Sequence, residues 1–187
     1  MIRGLDDVMA AKNRAEIVAL LQSTQRRGMD KVLEYLDGVG FYHAPSSIDR
    51  HHNWYGGLAQ HSLGVCRRAL KMADTSQRDS IIIVSLLHDI CKAAKLYYGT
   101  DGRIYRRSLR IKGHGSRSII LLQREGLELT REERLAIRWH MGTGNAAPHE
   151  AAEAYAARHS RLWSILRNCD KRDATQGKYL FNVSVKD

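Results

Sequence analysis

Across 187 residues only two prolines, Pro45 and Pro148, interrupt an apolar repeat of three to four residues carried largely by Ala, Leu, Ile, Arg and Glu. Proline breaks a helix by removing a hydrogen-bond donor, so a chain this poor in it with that period points to a mainly α fold. The spacing predicts helices near residues 5–22, 29–37, 57–74, 79–95, 115–125, 131–141, 149–157 and 160–175. Two boundaries have a local cause. Thr130-Arg-Glu-Glu133 reads as a capping box, and Gly126 and Gly142 stand where a left-handed residue would end a helix. Between the helices, KLYYGTDGRIYRR alternates aromatic and basic residues around a Thr-Asp-Gly turn, which suggests a short β-hairpin near 96–107. The tail GKYLFNVSVKD is open between a strand and disorder.

No repeat, low-complexity segment or linker divides the chain, and its length suits one domain with a sizeable core. The expected organisation is N-terminal helices over 1–40, a core over 41–175 and a tail over 176–187. No run of eighteen apolar residues occurs, which excludes a membrane-spanning helix. Cys66, Cys91 and Cys169 are scattered and lack CxxC spacing, as expected of reduced thiols in a cytoplasmic protein. Thirty Lys plus Arg against twenty Asp plus Glu leave a net charge of +10, which favours phosphate-bearing partners over neutral ones.

The stretch Ser85-Leu-Leu-His-Asp-Ile-Cys-Lys-Ala-Ala94 carries the first chemical signal. A His-Asp dipeptide alone says little, since roughly 0.6 are expected by chance in this composition. Its company says more. His61, His88, His114, His140 and Asp170 follow one another at intervals of 26 to 30 residues, about one helix and its connection, so each element can deliver one ligand to a shared centre. Imidazole and carboxylate donors suit Mn, Fe, Co, Ni or Zn, and a site so poor in thiolates is unlike a structural zinc site. On a helix Lys92 would share a face with His88 and Asp89, placing a cation beside a metal site, as an oxyanion ligand would require.

These residues resemble the HD superfamily of metal-dependent phosphohydrolases, whose signature is His, then His-Asp, then a distant Asp: here His61, His88-Asp89 and Asp170. The strings FYHAPSS, HHNWYGGLAQHSLGV, LLHDICK, KGHGSRSIILLQ and TREERLAIRWHMG resemble small bacterial and phage members over residues 30–175. The likeness implies an all-helical fold and, through His114 and His140, the two-metal branch. Asp89 would then bridge two divalent transition metal ions, with His61, His88 and Asp170 completing one site and His114 and His140 the other. Cys91 stands where the HDIGK-type motif of that group has glycine.

The implied reaction is hydrolysis of a phosphate ester of a nucleotide or short oligonucleotide by a metal-bridged hydroxide, with Asp89 and Lys92 as catalytic residues. The acid-free basic run Arg103, Arg106, Arg107, Arg110, Lys112 and Arg117, together with His52, is expected to hold substrate phosphate. Tyr97, Tyr98 and Tyr105 are expected to be available to stack on a base. Two other readings share the ligand set: a di-iron oxygenase of the same superfamily and a non-catalytic nucleotide-binding module.

Overall fold

The computed structural model of the protein describes residues 7–99, 103–107 and 113–183. Its helices are α1 (Asp7–Ser23), α2 (Met29–Val39), α3 (Gly57–Leu70), α4 (Arg78–Leu87), α5 (Cys91–Lys95), α6 (His114–Arg124), α7 (Arg131–Trp139), α8 (Ala151–Arg158) and α9 (Arg161–Val183). The mainly α expectation therefore holds. The hairpin is also present: strands β1 (Leu96–Tyr98) and β2 (Ile104–Arg106) pair antiparallel, with Tyr97 opposite Tyr105. Its Thr-Asp-Gly tip lies outside the described residues.

Helix α4 explains where the core sits. Its run Ile81 to Leu87 is buried on every side, and a helix apolar all round must lie inside the bundle rather than on its surface. Helices α1, α3, α7 and α9 surround it, and α1 also packs on α3. Both expected boundaries are realised. Thr130 accepts from the Glu133 amide while Glu133 reaches back to the Thr130 amide, and Gly126 and Gly142 have φ of 81° and 119°.

Two expectations need correction. The helix expected over 79–95 is broken: α4 ends at Leu87 and α5 begins at Cys91. The His88 ring supplies the local reason, because its Nδ1 bonds the Ser85 carbonyl at 2.9 Å and so satisfies an orphan carbonyl of the last turn. The tail is neither strand nor disordered up to Val183, since α9 runs on through GKYLFNV. Residues 184–187 lie outside the described residues.

Helix α6 approaches the end of α7 very closely. A β-carbon at Gly115 would come within 2.2 Å of the Arg138 carbonyl oxygen and 2.3 Å of that of Ile137. Glycine there lets His114 and His140, on adjacent elements, reach the same end of the bundle. Among the described residues no helix is long and apolar enough to cross a membrane, and Cys66, Cys91 and Cys169 are all free and buried.

Candidate metal centre

Four elements deliver the expected ligands to one buried place. His61 comes from the middle of α3, His88 and His140 cap the C-termini of α4 and α7, and Asp170 comes from α9. His88 and His140 use one local solution: each caps its helix at φ −56° and ψ −33°, and each Nδ1 bonds the carbonyl three residues back, Ser85 at 2.9 Å and Ile137 at 2.7 Å. His61 Nδ1 bonds the Asp173 carboxylate at 2.8 Å. With every Nδ1 committed outward as a donor, the tautomer is fixed and each Nε2 is left with a lone pair aimed inward.

Those inward atoms converge. His61 Nε2 lies 3.2 Å from Asp170 Oδ1, and His88 Nε2 lies 3.8 Å from the same oxygen. Asp89 faces both sides: its Oδ2 is 3.4 Å from His88 Nε2 and its Oδ1 is 3.6 Å from His140 Nε2. Ligands on arms of 2.0 to 2.2 Å around one ion stand roughly 2.8 to 3.6 Å apart between right-angled and tetrahedral arrangements, a range these separations match or approach. Moreover, Nε2 of His61, His88 and His140 and Oδ1 of Asp89 are buried without a hydrogen-bond partner. Such orphaned buried acceptors are costly unless something cationic satisfies them, so the residues fit a divalent cation.

His114 stands apart from His140. Among the described residues, one donor group close enough to hold an ion comprises His88, Asp89 and His140, whereas His114 groups with Asp89 and Cys91. His61, His88 and Asp170 form a further group, as the resemblance implies for one ion, while His114 and His140 fall in separate groups that share Asp89.

The electrostatics follow from burial and the mixture of charges. Burial opposes ionisation of Asp89, yet the positive charge of Lys92 and the His88 and His140 rings beside it hold its carboxyl well below the usual range. Lys92 Nζ lies 2.6 Å from Asp89 Oδ2. Burial also works against a charged His61, but Asp170 and Asp173 push its imidazole up to about 9. A proton and a metal ion therefore compete for His61 Nε2, so metal affinity should weaken as pH falls.

Asp173 was not among the expected residues. It packs into α3 where a β-carbon on Gly64 would come within 2.1 Å of its Oδ1, so glycine is what admits the carboxylate beside His61. Its position one turn after Asp170, on the same helix face, is the sequence signal that could have found it. Replacing Asp173 with alanine is expected to weaken metal binding by about 10- to 100-fold. Competitive titration with a chelating dye would measure this, and helical circular dichroism would report that the fold survives.

A cavity of about 570 Å³ opens above the centre, floored by Asp89, His140 and Asp170. Its cationic wall is built by Arg50, Lys92, Lys95, Arg106, Arg167 and Lys171. Of the expected substrate residues, Arg106 lies on this wall. Arg107 instead lies over the Tyr97 ring at 4.6 Å, Arg117 is buried on α6, and Arg110 and Lys112 fall outside the described residues. Tyr97 and Tyr105 stack on each other at 5.7 Å and are half-exposed.

His52 also differs from expectation. It is buried in a left-handed conformation, φ 49°, with Nε2 3.5 Å from Asp173, so it faces the back of His61. Its neighbour His51 lines the cavity instead. Burial depresses both rings, His51 to about 3 and His52 to about 4, and keeps them neutral.

A dihydroneopterin 2′,3′-cyclic phosphate phosphodiesterase of Methanocaldococcus jannaschii is 41% identical over 73 residues, which are 35% of this chain and 29% of that protein. The chain thus spans well under a third of the curated relative it matches. No solved structure matches. The HD domain matches residues 58–175. That match begins in the helix carrying His61 and closes after Asp170, taking in all six metal-grade residues named from the sequence, and the chain belongs to the HD domain family.

Proposed function

We propose that this protein is a metal-dependent phosphohydrolase acting on a phosphate-bearing small molecule of about nucleotide size, with a phosphodiester as the first substrate class to try. The observation that carries the reading is the set of buried, unpartnered imidazole and carboxylate atoms on the floor of a cavity with a cationic wall. His61, His88, Asp89, His140 and Asp170 would hold one ion deep in the site, and His114 with Asp89 would serve a second beside it. Bound divalent cations supply Lewis acidity toward water and phosphoryl oxygens.

The chain's own side chains do the rest. Asp89 offers one oxygen to each side of the cluster and remains ionised at any ordinary pH. Lys92 is held by Asp89 and by the Ser46 hydroxyl, at 3.4 Å, with its ammonium on the cavity wall. From there it can neutralise negative charge that builds on phosphate oxygens as the ester bond breaks. Arg106, Lys95 and Lys171 would hold the phosphate, while Arg167 is fixed by its bond to the His140 carbonyl at 3.1 Å. A cavity of this size accommodates a drug- or nucleotide-sized ligand, which favours a small substrate over a long strand. The name of the archaeal relative supports a cyclic phosphodiester in particular.

Lys92→Ala is expected to lower kcat by about 100- to 1000-fold, the range for removing one charge-stabilising group. Metal content should stay unchanged. Hydrolysis assays against 2′,3′-cyclic nucleotides, mononucleotides and short single strands, with Mn²⁺, Co²⁺ and Ni²⁺, test the substrate class. Turnover confined to the strands would overturn the small-molecule assignment.

A further inference from the structure

We propose that Cys91 is itself a metal ligand, forming with Asp89 and His114 a mixed thiolate, carboxylate and imidazole site for a thiophilic divalent ion of the Zn²⁺, Co²⁺ or Fe²⁺ type. The inference rests on the reading of the centre as metal-binding and goes beyond it by naming a soft donor and the class of ion that donor selects.

Three observations carry it. First, one donor atom each from Asp89, Cys91 and His114 lies within 4.8 Å of the other two, and among the described residues this is the group that takes in His114. Second, Cys91 Sγ stands 3.6 Å from His114 Nδ1. A sulfur arm of 2.3 Å and a nitrogen arm of 2.0 to 2.1 Å spanning a tetrahedral angle put the two atoms roughly 3.5 Å apart, so the pair is spaced as ligands of one ion. Third, Cys91 is fully buried and Asp89 nearly so, with Asp89 Oδ1 left without a hydrogen-bond partner. The other two thiols are differently placed: Cys66 packs in the hydrophobic core, and Cys169 also belongs to it, with Sγ 3.8 Å from Met72 Sδ.

On binding, the thiol gives its proton to solvent and a sulfur lone pair goes to the ion, with no change of oxidation state. A thiolate in the set favours borderline-soft ions over Mn²⁺ or Mg²⁺, which prefer oxygen and nitrogen.

Cobalt substitution tests this without an activity assay. The full chain is loaded with Co²⁺, its cobalt content measured by mass spectrometry, and its near-ultraviolet spectrum recorded. The expected result is a sulfur-to-cobalt charge-transfer band that disappears in both Cys91→Ser and Cys91→Gly, with Zn²⁺ affinity falling about tenfold or more in the variants while Mn²⁺ affinity holds. Cobalt bound without the band would overturn the thiolate ligand and leave the metal centre standing, the 3.6 Å contact then being a hydrogen bond that orients His114. A band that survives in the variants would move the sulfur to another cysteine and equally overturn it. No cobalt bound at all would sink the metal centre as well.

Discussion

Asp89→Asn is expected to reduce phosphoesterase turnover by about three orders of magnitude, corresponding to a loss of roughly 4 kcal/mol of transition-state stabilisation. The size follows from position. One oxygen of this carboxylate faces His88 and the other faces His140, so it is the group that both sides of the cluster share. Asparagine keeps the shape but loses the charge, and its nitrogen turns a donor toward one side. Steady-state kinetics with metal analysis would show activity and metal lost together, unlike Lys92→Ala, where activity alone falls. A thermal melt of the same sample separates loss of the site from loss of the fold.

The largest effect on stability is expected far from the cavity, at Glu133. Its side chain is completely buried and accepts from both Arg26 nitrogens at 2.8 and 2.9 Å, from Ser80 at 2.7 Å and from the Thr130 amide at 2.8 Å. One carboxylate thus ties the loop after α1 to α4 and to the N-terminus of α7. Glu133→Ala would strand a partly buried guanidinium and open the capping box, at a cost of about 3 to 5 kcal/mol. At about 2 to 4 °C per kcal/mol for a chain of this size, calorimetry should record a melting temperature lower by about 10 °C. Burial opposes ionisation of Glu133, but the bonds from Arg26 and Ser80 win and hold its carboxyl below the ordinary range. Its contribution is therefore present above the unfolded carboxyl value near 4.3 and lost as pH falls through the folded one. Wild-type stability should drop in acid over that window more steeply than that of the variant.

Much of this was readable in the sequence where one local interaction decides the outcome. The capping box at Thr130 and the glycines at 126 and 142 fix their helix ends with little help from the rest of the molecule. The convergence of His61, His88, His140 and Asp170 was readable because each stands on a separate element at a regular interval. The break at His88 was not. Buried, mostly apolar positions continue from Ile81 through Ile90, so the period sees one helix, and the stop is set by a ring nitrogen turning back to the Ser85 carbonyl.

Substrate residues were the least legible, for a physical reason. The basic run near the hairpin is contiguous in sequence, yet the cavity draws its cations from α5, β2, α9 and, through Arg50, the loop before α3. Only the tertiary arrangement could select Arg106 from that run and add Lys95, Arg167 and Lys171 from elsewhere. The same holds for the two adjacent histidines. His52 turns inward through its left-handed backbone to meet Asp173, leaving His51 to line the cavity, and no property of the His-His pair decides which way each points.

The proposed role of the His61, His88, Asp89, His140 and Asp170 cluster is to hold divalent cations with which the protein hydrolyses phosphoesters. Its most direct test is the hydrolysis of bis(p-nitrophenyl) phosphate and 2′,3′-cyclic nucleotides by protein stripped with a chelator and then reloaded. Stripped protein should show no turnover, activity should return with Mn²⁺, Co²⁺ or Ni²⁺, and His88→Ala should not recover. Turnover that survives complete metal removal, or that returns equally in His88→Ala, would contradict it.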